Sequence, residues 1–303
     1  MTRRHSTTVV AALATALVLS ACGGGGDPLQ EDDAPATGGG GESALVIGSA
    51  NFPENVLLAE IYAAALGDAG VEVTTNLNIG NREAYMAGLE DGSIDLIPEY
   101  TGNLTLFLNE SAEATESEEV YAELQESLPE NLTVLDMAAA EDKDSVVVTS
   151  ETAEEFGLST IADLKPHAPN MVLGGPPEWR DRFTGVPGLQ EVYGLEFSEF
   201  KPLDAGSTLT VQALVNGQID AGNIFSTDPA IAENEFVVLE DPEHLFAAQN
   251  VVPLIATDKV TPEIETALNE VSASLTTENL TEMMVKVQDT DPADVAREFV
   301  DGL

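Results

Sequence analysis

Seven residues of this chain come back as a variation on themselves. Leu89-Glu90-Asp91-Gly92-Ser93-Ile94-Asp95 recurs, 125 positions later, as Leu214-Val215-Asn216-Gly217-Gln218-Ile219-Asp220. In each copy a helical pattern stops at a glycine, which takes the left-handed C-cap conformation at little cost, and a short strand begins at Ile-Asp. Five residues past each aspartate stands an aromatic, Tyr100 and Phe225, followed by a hydroxyl residue, Thr101 and Ser226. A chain that uses this device twice is constrained to two similarly built halves. In an open α/β sheet, ligands bind beyond the carboxyl ends of the strands. Two halves facing each other would therefore aim both aromatics at one cleft. The glycine and the isoleucine suit any helix-to-strand turn, and Asp95 and Asp220 are expected to fix the strand's entry rather than to touch a ligand.

The rest of the chain agrees with an α/β fold. Strand-like runs fall at 45–50, 71–78, 94–98, 132–137, 145–149, 171–175, 219–225, 236–240 and 251–255. Helical patterns lie between and after them, over 54–68, near 82–90, and around 262–272, 277–287 and 291–300. The first places Leu57, Ile61 and Ala65 on one stripe, with Leu58, Tyr62 and Leu66 beside it. Asp291-Pro292 reads as a helix opening, with the cap just before proline. Strands separated by helical patterns argue for layers of helix on sheet.

Charge and cysteine content exclude several classes. The 303 residues include 54 acidic and 11 basic ones, for a formal net charge of -43. Phosphate contacts need a basic face, so a nucleic-acid partner is not expected. A single cysteine excludes a disulfide scaffold and a cysteine-rich metal site, and no cofactor or metal is expected. Residues 1–21 read as a secretory signal: Arg3 and Arg4 precede an apolar run, Val9 to Leu19, that is too short to span a bilayer. The run ends in Leu19-Ser20-Ala21-Cys22, which resembles a bacterial lipobox, and the only cysteine of the chain falls where a lipobox places its lipid. Residues 23–43 hold eight glycines and no apolar periodicity. They read as a tether with a reach of roughly 25 Å. A lipid, a leash and a body describe a protein held just outside a membrane. Without the signal the body carries 9 basic against 54 acidic residues. Screening over about 8 Å limits what so acidic a surface can attract from a distance.

Four stretches carry a family resemblance. They are IGSANFPENVLLAEIYAAAL (47–66), GLEDGSIDLIPEYTGN (88–103), VQALVNGQIDAGNIFSTD (211–228) and VVLEDPEHLFAAQNVVPLI (237–255). In colinear order over most of 45–300, the chain resembles the osmoprotectant-binding proteins of ABC importers, the ProX-like proteins that bind glycine betaine, choline or carnitine. The resemblance implies a two-lobe periplasmic-binding-protein fold of type II, the flytrap. Lobe one would comprise 45–144 plus 250–303 and lobe two 145–249, behind a lipidated Cys22 and a linker at 22–44. It implies a monomer that catches a quaternary ammonium solute between its lobes, delivers it to a membrane permease and catalyses nothing.

The chemistry implied by the resemblance is simple. A quaternary ammonium has no N–H to donate, so aromatic faces select it, at about 0.5–2 kcal/mol per ring. Tyr100 matches a cage tyrosine and Phe225 keeps a ring at a second wall. Val146 and Gln249 stand where two further aromatics are usual, so Gln249 is expected to reshape the pocket. Asp144 matches an acidic residue that faces the cationic head. Asn103 replaces a threonine after Tyr-Thr-Gly and is expected to bond a solute carboxylate. Ala50 replaces a lysine, leaving Arg182 or Arg180 for the same carboxylate. Trp179, the only tryptophan, is expected to replace a lost wall or to pack in the core. Arg82 reads as a surface ion-pair partner, and Tyr85, Tyr121 and Tyr193 as residues without function. A cage cut from four rings to two would lose roughly 1–4 kcal/mol.

Three other readings compete. A lipid-anchored hydrolase would need a nucleophile motif, and the body has only His167 and His244, with no Gly-x-Ser-x-Gly, His-Glu-x-x-His or phosphate loop. A binding protein of the same fold for an amino acid or a bulkier betaine would need a differently placed acid. A structural lipoprotein would bind nothing small.

Overall fold

The two aspartates of the repeated segment do the same work in two different sheets. The Asp95 amide donates to the Val46 carbonyl at 2.7 Å, and the Val46 amide donates back to the Asp95 carboxylate at 2.8 Å. The Asp220 amide donates to the Val172 carbonyl at 2.9 Å, and the Val172 amide returns a bond of 2.7 Å to the Asp220 carboxylate. Gly92 and Gly217 end the preceding helices with φ of +74° and +63°, the left-handed region in which glycine carries no Cβ penalty. The likeness continues beyond the seven residues. A Cβ on Gly48 would come 2.7 Å from Ile94 Cδ1, and one on Gly174 would come 2.6 Å from Ile219 Cδ1. Each isoleucine thus lies directly on a strand that glycine leaves bare.

These contacts come from a computed structural model that describes residues 44–205 and 208–303. The signal segment, Cys22 and nearly all of the 22–44 linker lie outside the described residues. The strands are β1 (Leu45–Ala50), β2 (Val73–Gly80), β3 (Leu96–Tyr100), β4 (Leu132–Val134), β5 (Val146–Val148), β6 (Val172–Gly175), β7 (Glu199–Pro202), β8 (Ala221–Asn223), β9 (Val237–Val238) and β10 (Val251–Ala256). They form two sheets of order β2-β1-β3-β10-β4 and β7-β6-β8-β5-β9. Within each sheet the first three strands run parallel and the fourth is antiparallel to both neighbours. The two sheets therefore share one topology, with β3 and β8 equivalent. The mixed α/β fold with twin sheets places the two copies of the repeat at equivalent positions. We call the sheets and their helices lobe one and lobe two. The chain crosses between them twice, after β4 and again before β10.

Helices cover both faces of each sheet. They are α1 (Pro53–Asp68), α2 (Arg82–Asp91), α3 (Thr101–Leu108), α4 (Ser117–Ser127), α5 (Ser150–Phe156), α6 (Val186–Tyr193), α7 (Thr208–Val215), α8 (Ala230–Glu233), α9 (Pro262–Ser274), α10 (Thr277–Lys286) and α11 (Pro292–Val300). The stripe expected on α1 is buried: Leu57, Ile61 and Leu66 pack with Leu268 of α9, Met283 of α10 and Val295 of α11 against Ile47 and Leu96. The opposite face of that sheet takes Met86 and Leu89 of α2, Leu104 of α3 and Leu124 of α4. In lobe two, Val146 and Val148 of β5 face one core and Val147 the other. Three consecutive valines fit a strand buried on both sides. No helix among the described residues is long and apolar enough to cross a membrane.

Candidate ligand site

Tyr100 closes β3, and α3 starts at the next residue without a loop. Phe225 stands two residues past the end of β8. The equivalent strands thus deliver one ring each to the same place, and both rings line a cavity of about 340 Å³ between the lobes. That volume lies at the small end of pockets that enclose small molecules. A third ring joins them. Phe52, between β1 and α1, stands 6.1 Å from Tyr100 and 5.2 Å from Phe225, centroid to centroid. The sequence reading passed over Phe52 although it follows a strand's carboxyl end, the position from which open α/β sheets bind ligands.

Carboxylates surround these rings. Asp142 and Asp144, on the first crossing between the lobes, both line the cavity and are both buried. Asp144 accepts one amide bond from each lobe, from Asn103 at 2.9 Å and from Asn223 at 2.9 Å. Burial raises its pKa against the pull of those two bonds. Asp142 accepts from the Ser226 hydroxyl and the Thr227 amide, both at 3.2 Å. Burial, and after it the nearby Glu54 carboxylate, pushes Asp142 well above the usual carboxylate range. Neither aspartate forms an ion pair among the described residues. A buried carboxylate without a cation is costly, so this end of the cavity suits a positively charged group.

The cations behave differently from expectation. Arg82 is no surface residue: it is buried, lines the cavity and meets Glu99 through two bonds of 2.8 and 2.9 Å. Glu99 is fully buried and also accepts from the Tyr85 hydroxyl at 2.6 Å. Burial works against the Arg82 charge, and Glu99 outweighs it, holding the guanidinium pKa up. Tyr85 therefore belongs to the cavity wall; a tyrosine on a helix gives no sequence signal for an arginine–glutamate pair beneath it. Arg182 does line the cavity, but its guanidinium crosses the cleft to both oxygens of Glu83 at 3.0 Å. The Asn81 amide crosses the same gap to Glu178 at 2.9 Å. Arg180 instead stands 5.6 Å from the ring centroid of Phe200 and is absent from the cavity lining.

One expected pocket position needs correction. Gln249 is buried and does not line the cavity. Its carbonyl oxygen accepts from the Asn103 amide at 2.9 Å, in the first turn of α3. It satisfies a helix end whose amides have no partner within the helix. Val146 is fully buried in the lobe-two core. Trp179 is 2 % exposed and stacks on Phe246, with ring centroids 6.1 Å apart. It is a core residue that also lines the cavity. Asn103 lines the cavity as expected.

Residues 43–302 match the family model described as the substrate-binding domain of ABC-type glycine betaine transport systems. The chain belongs to that family. Members are extracytoplasmic substrate-binding components of transporters, and transport rather than catalysis is the family's role. Among curated relatives, the glycine-betaine-binding protein of Pseudomonas aeruginosa is 26% identical over 84% of this chain and 86% of its own length. The carnitine transport binding protein OpuCC of Listeria monocytogenes is 25% identical over 84% of this chain and 85% of its own. Among solved structures, a glycine betaine/carnitine/choline ABC transporter protein superposes with a TM-score of 0.68 at 22% identity, covering 85% of this chain and 98% of that one. Lactococcal OpuAC, closed on glycine betaine, gives 0.62 at 15% identity, covering 86% and 96%. These superpositions establish the type II periplasmic-binding-protein fold of the family. The family match fits a quaternary ammonium importer component, and the amino-acid alternative drawn from the sequence finds no support in it.

Proposed function

We propose that this chain binds a quaternary ammonium osmoprotectant of the glycine betaine type in the 340 Å³ cavity and presents the closed form to a membrane permease. The observation that carries the reading is the meeting of Phe52, Tyr100 and Phe225 with Asp142 and Asp144 on one small cavity. Ring faces attract a cation that offers no N–H, and a cation bound beside Asp142 and Asp144 favours their charged forms against the burial that raises both pKa values. Asn103, Thr184 and Arg182, which line the same cavity, are the groups suited to a solute carboxylate. Arg182 is available for it because its pairing with Glu83 is partly exposed, at 31% and 51%, and such pairs contribute little. The lobes are bounded at 144/145 and 249/250, inside the two crossings, and those segments act as hinges. The chain acts as a monomer and catalyses no reaction.

The anchor belongs to the same reading. Cys22, behind a lipobox-like Leu-Ser-Ala, carries a lipid that holds the protein at the outer membrane surface. Replacing Cys22 by serine releases the protein into the soluble fraction; continued membrane association of that variant contradicts the anchor. The ligand is tested by a thermal-shift screen against glycine betaine, choline, carnitine and common amino acids. Bound ligand adds RT ln(1 + [L]/Kd) to stability, so a shift with the quaternary ammonium compounds alone is the expected pattern. A shift with amino acids alone overturns it.

A further inference from the structure

We propose that Glu54, which takes no part in lining the cavity, is a positioning residue that sets the cage rings of the two lobes in register and favours the closed form. The inference rests on the binding reading given above. Glu54 is the second residue of α1 and is only 2% exposed. One of its oxygens accepts from the Tyr100 hydroxyl at 2.8 Å, and the other accepts from the Thr227 hydroxyl. Tyr100 is the ring contributed by β3 of lobe one. Thr227 stands two residues past Phe225, on the segment that leaves β8 of lobe two. A single carboxylate thus holds one cage ring directly and the segment bearing another through two residues of backbone. It forms no ion pair among the described residues, and burial raises its pKa against the pull of the two hydroxyls and of Asp142 beside it.

The two bonds differ in one respect. Tyr100 and Glu54 belong to the same lobe, so their bond survives when the lobes part. The bond from Thr227 crosses the cleft and exists only while the lobes are together. An interaction made only in the closed form shifts the open–closed equilibrium toward it. Because apparent affinity scales with the fraction of competent molecules, Glu54 raises affinity without touching the solute. Asp142 holds the same segment from the crossing, through Ser226 and the Thr227 amide, so the segment has a fixed side and a side that can release.

The test uses the purified full chain with glycine betaine and choline as probes. Thr227→Val keeps the shape of the side chain and removes only the hydroxyl, and Tyr100→Phe keeps the cage ring. Glu54→Gln and the double variant Thr227→Val/Glu54→Gln complete the set. Titration calorimetry is expected to show affinity about ten-fold weaker for Thr227→Val, the scale of one hydrogen bond. The double variant is expected to be no weaker than Glu54→Gln alone, since residues acting through one bond are not additive. A merely structural role would lower the melting temperature and leave affinity unchanged. Thr227→Val binding like the parent, or additive losses in the double variant, overturns the proposal. If the parent binds neither probe, the binding reading itself fails. The register claim is then decided by small-angle scattering on ligand-free protein: a larger radius of gyration in Thr227→Val supports it, and an unchanged one refutes it. Should Glu54→Gln not fold, Thr227→Val carries the decision, and Tyr100→Phe, which breaks only the bond within lobe one, is the control expected to leave the ligand-free radius of gyration unchanged.

Discussion

The ring of Phe52 stands 5.2 Å from that of Phe225, centroid to centroid and tilted by 48°, although the two belong to different lobes. The contact joins the ends of β1 and β8 across the cleft. Replacing Phe52 by alanine is expected to weaken glycine betaine binding by about 1–3 kcal/mol, through lost apolar area and lost ring attraction. Isothermal titration measures it. Unchanged affinity would remove Phe52 from the cage.

Glu54 and Asp142 bring two carboxyl groups into one buried neighbourhood, and burial raises the pKa of both. A carboxyl whose folded pKa is raised binds its proton more tightly in the folded than in the unfolded chain. Its contribution to stability is therefore full below the ordinary carboxylate range and is lost as pH rises through the raised value. The melting temperature of Asp142→Asn, which cannot ionise, is expected to depend less on pH between about 4 and 8 than that of the parent. Differential scanning calorimetry across that range checks it, and parallel curves would contradict the assignment.

Arg82 and Glu99 form a buried pair joined by two hydrogen bonds, with Tyr85 as a third partner. Glu99→Gln leaves the guanidinium buried without its counter-charge. Loss of one partner of such a pair costs about 3–5 kcal/mol. Chemical denaturation is the measurement, and a loss below about 1 kcal/mol would mean that solvent reaches the arginine.

Asp95 and Asp220 tie equivalent strands in equivalent ways. Each replaced by alanine leaves a strand amide without its acceptor, and each is expected to cost about 1–3 kcal/mol. The sites lie in separate sheets, so the double variant is expected to lose the sum. Lys259, partly exposed, also meets the buried Asp95 at 3.0 Å, so Asp95→Ala removes an ion pair as well. Strong non-additivity in denaturation would speak against independent twin devices.

The repeated segment made the twin construction legible, because glycine, isoleucine and aspartate each answer a local backbone demand. Phe225 and Tyr100 were legible for the same reason, as fixed offsets from a turn. The stripe on α1 was readable from spacing alone. What sequence spacing does not carry is the partner of a buried polar group. Arg82 looked like a surface cation because its partner, Glu99, lies 17 residues away on a strand. Gln249 reads as a residue that reshapes the pocket because its role, capping α3, depends on a contact with Asn103 that spans 146 residues. Glu54 escapes for a related reason: its bond to Thr227 appears only when the second lobe is laid against the first.

The most direct test of the account is titration of glycine betaine and choline into the parent protein and into Phe225→Ala. The account predicts saturable binding at one site per chain in the parent, weakened about ten-fold or more when the ring is removed. Heat of dilution alone with both compounds, or equal affinity in parent and variant, would contradict a cage built between the lobes.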